Sequence, residues 1–464
     1  MMKKLANTLS AILLSVLLAF CSGCTDKRDY GTEFNLETDC QYSYFNSVST
    51  WKKVQTDGKG QYLYNNNYIY YYSDGDHKLI PLCNKPNCLH DMETDKKRQE
   101  NCNAFVHRLD YDFIQYYEGY VYYYVNDAID DLSCLYRVST DGGRKDKIFT
   151  AENEDVGSWL IHRGVFYYAV QSSFTKQDNK NQIYTKFTLK SLDLSADMDE
   201  KKAKVIYETD EKYTALNLNP IKAFKNYLCY SATFTPREFK SRDQKEWLRT
   251  VHTPTFIYNI DTGENREIPI PEGNGSYTTI GEVTFLNDRL LVKLYNNLND
   301  LDGTTGAGMR LVPIYSMNFD LTDVKLWHKG VEQGKLVQGC GDHVIISDAM
   351  LPVMSGIFAV VISNSDYSLE DMPTFEEMSL TKTDVEIYSA DGTRVSWFVY
   401  PMNNKGNFNG FGPDGYNAEF KNNGDGSWSV FRLKLDDVLH CRGEKVELDC
   451  VSTRRYGALN RPED

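Results

Sequence analysis

The residues best suited to chemistry stand close together in the first quarter of the chain. Cys83-Asn84-Lys85-Pro86-Asn87-Cys88-Leu89-His90 is followed by Cys102-Asn103-Ala104. Three thiols and an imidazole, Cys83, Cys88, Cys102 and His90, are in type and number the donor set of a tetrahedral structural zinc site. The same thiols can instead form a disulfide, which uses two of them and leaves a cysteine and the histidine over. Metal or disulfide, with free thiols as the third state, all stay open on the sequence alone. A catalytic thiol fits poorly, because no base or oxyanion pattern accompanies the cluster. Asn84, Pro86, Asn87 and Asp91 are polar and turn-forming. Apolar burial alone would not order such an excursion, so the expected role is a clasp that holds structure.

Other cysteines divide by position. Cys441 and Cys450 flank Arg442 to Asp449, where adjacent strands would bring them within disulfide range, with Cys40 beside them if the N-terminal segment joins the last unit. Cys134, Cys229 and Cys340 fall in strand patterns and are expected as buried free thiols. Acidic groups are plentiful, but no catalytic residue is assigned. Asp127, Asp130 and Asp131, and Asn299, Asp300 and Asp302, read as solvated loop charges. The second run ends at Gly303 and lacks the length and terminal Glu of a calcium loop. Asn423-Gly424-Asp425-Gly426-Ser427-Trp428 reads as a hairpin turn. The eight histidines are scattered, and no Ser/His/Asp order, phosphate loop or dinucleotide fingerprint occurs. A formal charge of −14 with no basic stripe argues against nucleic acid as a partner.

The elements that must position these groups are short aromatic strands. Phe113 to Phe149 is a four-strand meander with turns at Glu118-Gly119 and Asp141-Gly142-Gly143. Its leading hairpin recurs at Leu63–Tyr72, Leu160–Tyr167, Phe224–Tyr230, Phe285–Val292, Gly341–Ile346 and Pro413–Ala418, at intervals of roughly 45 to 75 residues. The expected fold is all-β: a β-propeller of seven four-stranded blades, with an N-terminal strand within Cys40–Gln55 closing the ring. Insertions gather between the second and third strands of the units: Asn126–Ser133, Gln171–Asn181, Thr233–His252, Asn296–Met309 and Asp348–Lys382. Such loops leave a propeller on one face and build a binding surface.

Ahead of the repeats lie Lys3 and Lys4, then the apolar Ala11–Phe20, too short to span a bilayer. Cys21-Ser22-Gly23-Cys24 then resembles the bacterial lipobox, with Cys21 where Leu is usual. The resemblance implies diacylation of Cys24. The expected partition is a signal peptide over 1–23, a polar tether over 24–39 and one propeller domain over 40–464.

The outer strands share an apolar-Tyr-x-x-x-Asp-Gly pattern, as in Leu135-Tyr136 to Asp141-Gly142 and Ile387-Tyr388 to Asp391-Gly392. In this the chain resembles TolB-like and low-density-lipoprotein-receptor-like propellers. From Tyr62 to Val451 it is similar to exported bacterial lipoproteins of unassigned function built on that fold. Those lipoproteins carry similar Cys-Asn-x-Pro-x-Cys-x-His stretches. The Tyr-Trp-Thr-Asp strand of the receptor type is missing, which speaks against a receptor-like mode of partner binding. Two functions fit: a membrane-anchored, extracytoplasmic binding or assembly module that grips a glycan, peptide or protein on its loop face, or a polysaccharide hydrolase or lyase with carboxylates in the central channel. The absence of a recognisable catalytic set favours the first.

Overall fold

A computed structural model describes residues 28–41, 54–106, 114–127, 132–152, 155–176, 179–194, 198–210, 212–218, 221–236, 250–271, 279–295, 311–332, 335–347, 382–401, 408, 410–423 and 425–455. The expected signal peptide over 1–23, with Cys21, and Cys24 lie outside them, as do most residues of the long insertions. Residues 28–35 belong to a small separate unit, in which the Asp29 carboxylate accepts the Gly31 N–H at 2.8 Å. From Leu36 onward the chain is one unit.

Its seven sheets follow one another along the sequence as the blades of a seven-bladed propeller. Blade 1 is β1 (Val54–Thr56), β2 (Gly60–Asn65), β3 (Tyr68–Ser73) and β4 (Lys78–Pro81). Blade 2 is β5 (Ile114–Tyr117), β6 (Tyr120–Asp127), β7 (Leu132–Ser139) and β8 (Lys145–Glu152). Blade 3 is β9 (Asp155–His162), β10 (Val165–Lys176), β11 (Asn179–Asp193) and β12 (Lys204–Glu208). In blade 4 the innermost strand is interrupted, so β13 (Tyr213–Leu218) and β14 (Lys222–Phe224) share the partner β15 (Tyr227–Pro236), ahead of β16 (Thr255–Asn259) and β17 (Asn265–Glu267). Blade 5 is β18 (Thr279–Leu286), β19 (Arg289–Tyr295), β20 (Leu311–Asn318) and β21 (Lys325–Glu332). Blade 6 is β22 (Leu336–Cys340), β23 (His343–Ser347), β24 (Lys382–Ser389) and β25 (Arg394–Pro401). Blade 7 has three strands, β26 (Tyr416–Asn422), β27 (Ser427–Lys434) and β29 (Asp449–Arg455). Between the last two, β28 (Arg442–Lys445) crosses over and pairs parallel with β25, covering the outer edge of blade 6.

Local sequence explains the hairpins. Glu118-Gly119, Arg163-Gly164 and Asn66-Asn67 all have positive φ at both central positions, the turn whose twist matches the flanking strands. At both ends of the chain the repeat is offset from the sequence reading. Leu63–Tyr72 is the second-to-third-strand hairpin of blade 1, because the three-residue β1 lies inside it. The Gly412–Gly415 turn precedes β26, and the hairpin of blade 7 is the Asn423–Ser427 turn. The insertions do fall between second and third strands, in blades 2 to 6. In blade 3, though, β10 and β11 are simply long and pair nearly to their tips.

The core is a set of aromatic layers between blades. Tyr62 of blade 1 stacks on Tyr116 of blade 2, rings 5.5 Å apart, and Tyr70 meets Trp428 of blade 7 edge-on at 5.1 Å. A ring of polar clasps runs through the innermost strands. Gln55 accepts the Tyr116 N–H at 3.4 Å, Gln115 the Ile161 N–H at 2.8 Å, and Ser158 the Ile221 N–H at 3.2 Å. Lys222 donates to the Val283 carbonyl at 2.9 Å, Glu282 accepts the Val337 N–H at 3.1 Å, and Gln338 donates to the Phe411 carbonyl at 3.1 Å. Gln61 and Asp414, 2.9 Å apart, complete the circuit from blade 7 to blade 1. Every blade thus holds the next one with a polar side chain. The approach at Gly339 is so close that a Cβ there would lie 1.8 Å from the Phe285 carbonyl oxygen.

Among the described residues, the strands of the last blade all come from the C-terminal end. Val54 and Gln55 lie in β1, and residues 42–53 lie outside the described residues. What the N-terminus supplies is a strap. Thr38 and Asp39, at the end of the expected tether, are buried with Cys40 and Gln41. Glu118 N–H donates to the Glu37 carbonyl and Arg163 N–H to the Thr38 carbonyl, at 3.0 and 2.8 Å. Gln41 is bonded both ways to the Thr56 backbone, at 2.7 and 3.0 Å. The strap therefore crosses the first-to-second-strand turns of blades 1, 2 and 3. Arg163 locks it with a buried two-pronged pair to Asp39 at 2.8 and 3.0 Å.

Candidate metal centre

The one cluster of potential metal ligands among the described residues is Cys83, Cys88, His90 and Cys102, whose donor atoms all lie within 4.8 Å of one another. All four belong to the connection from β4 to β5, between blades 1 and 2. Cys83 follows the end of β4, where Leu82 N–H still donates to Ile69 O. A turn closed by Cys88 N–H to Lys85 O carries Asn87 in the left-handed region (φ 61°) and presents Cys88. His90, also left-handed (φ 54°), opens a single 3₁₀ turn over His90–Met92. Cys102 follows α1 (Lys96–Glu100), which Asp95 caps by accepting the Lys97 and Arg98 N–H groups. Lys85 Nζ reaches the Asn101 carbonyl at 2.6 Å, tying the two ligand-bearing turns together.

The thiols are free of disulfides: Cys102 is buried, Cys83 and Cys88 half-buried. Cys102 Sγ lies 3.6 Å from His90 Nδ1. Each sulfur also receives a backbone N–H from two residues further on. Lys85 and Asn103 donate to Cys83, His90 to Cys88, and Ala104 to Cys102. Burial opposes ionisation at all three. It pushes the Cys88 thiol up and the Cys102 thiol far up, whereas at Cys83 the backbone donors and neighbouring thiols outweigh it and the balance is downward. Burial also lowers the His90 imidazole, favouring the neutral form that ligates metals. Chemically, the group can hold one soft divalent ion with four protein ligands, or pair two of its thiols.

The surroundings are less polar than the sequence suggests. Ala104, Phe105 and Val106 are buried in the blade 1 core, and Ile69 N–H donates to Ala104 O while Val106 N–H donates to Asn67 O. On the blade 2 side, Asn84 N–H and the Asn103 side chain both donate to Gly142 O, at 3.2 and 2.8 Å. Three charged residues complete the neighbourhood, and sequence reasoning singled out neither Lys145 nor Arg454 among them. Lys145, half-buried, donates to the Phe105 carbonyl at 2.6 Å and lies close enough to Cys102 and Cys83 for their charge to favour its ammonium form. Asp91 is buried beside His90, accepts from Tyr70 at 3.1 Å, and is forked by Arg454 of β29. Only the adjacency of Asp91 to His90 was visible in the sequence; Arg454 lies 363 residues away.

Of the remaining cysteines, Cys441, Cys450 and Cys40 stand apart where the sequence reading would bring them together. Cys441 is buried at the edge of blade 6 and Cys450 is exposed on β29 of blade 7, and both thiols are free. The chain between them crosses from one blade to the next, so they do not sit on adjacent strands. Cys40 packs against blades 3 and 4, away from both. Cys134, Cys229 and Cys340 are buried free thiols, as expected. The Asp127 side chain, Asp130, Asp131, Asn299, Asp300 and Asp302 lie outside the described set.

No protein-family model matches the chain, and no curated protein does. Solved structures share its architecture. It is similar to a prolyl endopeptidase (TM-score 0.46, 13% identity, covering 90% of this chain and 51% of that one). It is also similar to an oligogalacturonate lyase from Vibrio parahaemolyticus (TM-score 0.37, 11% identity, 69% and 73%) and to an uncharacterized protein from Listeria monocytogenes (0.35, 10%, 71% and 73%). The chain spans about half the length of the endopeptidase. At these identities the likeness concerns fold alone.

Proposed function

We propose that this protein is a lipid-anchored binding or assembly module on the outer face of the bacterial membrane, a rigid ring that presents its second-to-third-strand loops to a glycan, peptide or protein. The observation that carries the reading is how the innermost strands use their polar groups. A channel enzyme acting on polysaccharide needs carboxylates free to face substrate. Among the described side chains there, Glu282 accepts the Val337 N–H and pairs with Lys293 at 3.3 Å, while Glu419 is buried against Tyr400. The strands that would line an active channel instead use these carboxylates, like Gln55, Gln115 and Gln338, to hold blade to blade. Variation is left to the insertions, the largest between β23 and β24.

Attachment is tested by fractionating cells that express Cys24→Ala: acylation and membrane association should both be lost, and their persistence refutes the anchor. For the loop face, residues 348–381 are replaced by an Asn-Gly turn and partners are captured by cross-linking in intact cells. The expected outcome is loss of the cross-linked species with an unchanged melting curve. An unchanged cross-linking pattern, or release of unsaturated or reducing sugar ends from polysaccharide by the purified protein, overturns the reading in favour of the enzyme.

A further inference from the structure

We propose that Cys83, Cys88, His90 and Cys102 bind one zinc ion, and that this ion fastens the ring where its two ends meet. The geometry of the donors comes first. Around a tetrahedral zinc with bonds of about 2.3 Å to sulfur and 2.0 Å to nitrogen, neighbouring donors stand about 3.5–3.8 Å apart. The Cys102 to His90 separation of 3.6 Å is already such an edge, and all remaining separations are within 4.8 Å. Four protein donors leave no open position, which makes the site structural.

The groups around the four donors suit a metal thiolate better than a set of neutral thiols. Four backbone N–H groups point at three sulfurs, an arrangement that offsets charge on thiolate ligands. Three thiolates and a neutral imidazole around Zn²⁺ carry a net charge of −1, and the Lys145 ammonium, half-buried beside the cluster with Lys85 near it, sets positive charge against it. A disulfide would leave that cation facing a neutral site.

The consequence for the ring follows from the position of the ligands. Among the described strands none is shared between first and last blades, and side chains join the two: Gln61 to Asp414, Arg432 to Asp74, Tyr70 against Trp428, and the Arg454 fork on Asp91. Asp91 is the residue after ligand His90, and the His90 carbonyl accepts from Tyr68 at 2.9 Å. Fixing His90 on a metal therefore fixes the carboxylate that Arg454 grips from the last strand.

The test uses the full mature chain, purified without chelator. Metal analysis should find one zinc per chain, released stoichiometrically by a mercurial thiol reagent. Cobalt substitution should give the thiolate charge-transfer and intense ligand-field bands of a tetrahedral site. Hydrogen exchange is then measured on the folded wild type before and after a strong chelator. Amides of β29 and of the Cys83–Cys102 connection should exchange at least tenfold faster in the stripped protein, while those of blade 4 do not change. In Arg454→Met zinc should still bind, and stripping it should no longer accelerate β29. Cys450→Ser, which alters an exposed thiol outside the cluster, should behave as wild type. A metal-free chain whose non-reduced mass shows a disulfide within the cluster refutes the metal. Bound zinc whose removal leaves β29 exchange unchanged refutes the fastening.

Discussion

Glu419 on β26 should make the stability of this protein fall as pH rises, and Glu419→Gln should abolish that fall. The Tyr400 hydroxyl lies 2.7 Å from Asn417 Oδ1 and 2.9 Å from Glu419 Oε2. It has one proton to give. Asn417 turns its amide nitrogen to the Gly410 carbonyl at 2.8 Å, so its oxygen is the acceptor for Tyr400. Glu419 must then donate to Tyr400, which it does only as the neutral acid. Burial agrees: it is the largest influence on this carboxyl and pushes its pKa from 4.5 to about 7. For a raised pKa the native state holds the proton that the unfolded chain releases. The favourable contribution is therefore complete below pH 4.5 and is lost as pH climbs to about 7. At 1.36 kcal/mol per unit, a shift of that size corresponds to about 3 kcal/mol. Glutamine keeps the shape and still donates to Tyr400 but does not titrate. Urea unfolding of both proteins at half-unit steps from pH 4.5 to 8 gives the difference directly. The two should be nearly equal at pH 4.5, with Glu419→Gln ahead by about 3 kcal/mol at pH 8. A difference that is flat with pH, or one in which wild type gains on the variant as pH rises, refutes the argument.

Three further outcomes follow from the buried polar framework. Asp39→Asn leaves Arg163 buried without its counter-charge and should cost about 3–5 kcal/mol in denaturant unfolding, with much of the loss recovered when Arg163 is also replaced by Met. Gln115→Leu strips both the Ile161 N–H and carbonyl of their partner and should cost about 2–4 kcal/mol, measured the same way. Gly339→Ala places a methyl against the Phe285 carbonyl oxygen, so the soluble yield should drop sharply, whereas Gly75→Ala, whose nearest neighbour is Ser73 Oγ at 3.9 Å, should remain soluble.

Strand patterning was strong enough to reveal the propeller because each hairpin announces itself locally, through aromatic runs and a turn such as Glu118-Gly119. The offset at blade 1 arose because Val54–Thr56 is three residues long and carries no such signal. Blade 7 was harder, since its chain leaves for blade 6 at β28 before returning. The cluster of three cysteines and a histidine was legible because all four lie within one connection, but its supports were not. Lys145 and Arg454 are ordinary charged residues in outer strands until the fold closes and brings them to the cluster. Buried glutamines at 55, 115 and 338 were a usable sign that went unread: an amide inside an apolar strand must have a partner. Thr38 and Asp39 looked like tether because polar composition does not distinguish a solvated segment from one whose polar groups are all satisfied.

The clasps between innermost strands have an implication for how such rings change size. Six of the seven reach main-chain atoms of the next blade, and every blade has main chain to offer. A blade copied or lost at one of those six boundaries would still offer that clasp a backbone donor or acceptor, and only turn pairs such as Arg163 with Asn226 or Asn287 with Asp342 would have to be matched. The seventh boundary is different, because Gln61 with Asp414, Asp74 with Arg432 and Asp91 with Arg454 recognise one another as side chains. Blade number is therefore policed most strictly at that seam: an expanded or contracted ring must still bring those three pairs face to face, or it stays open.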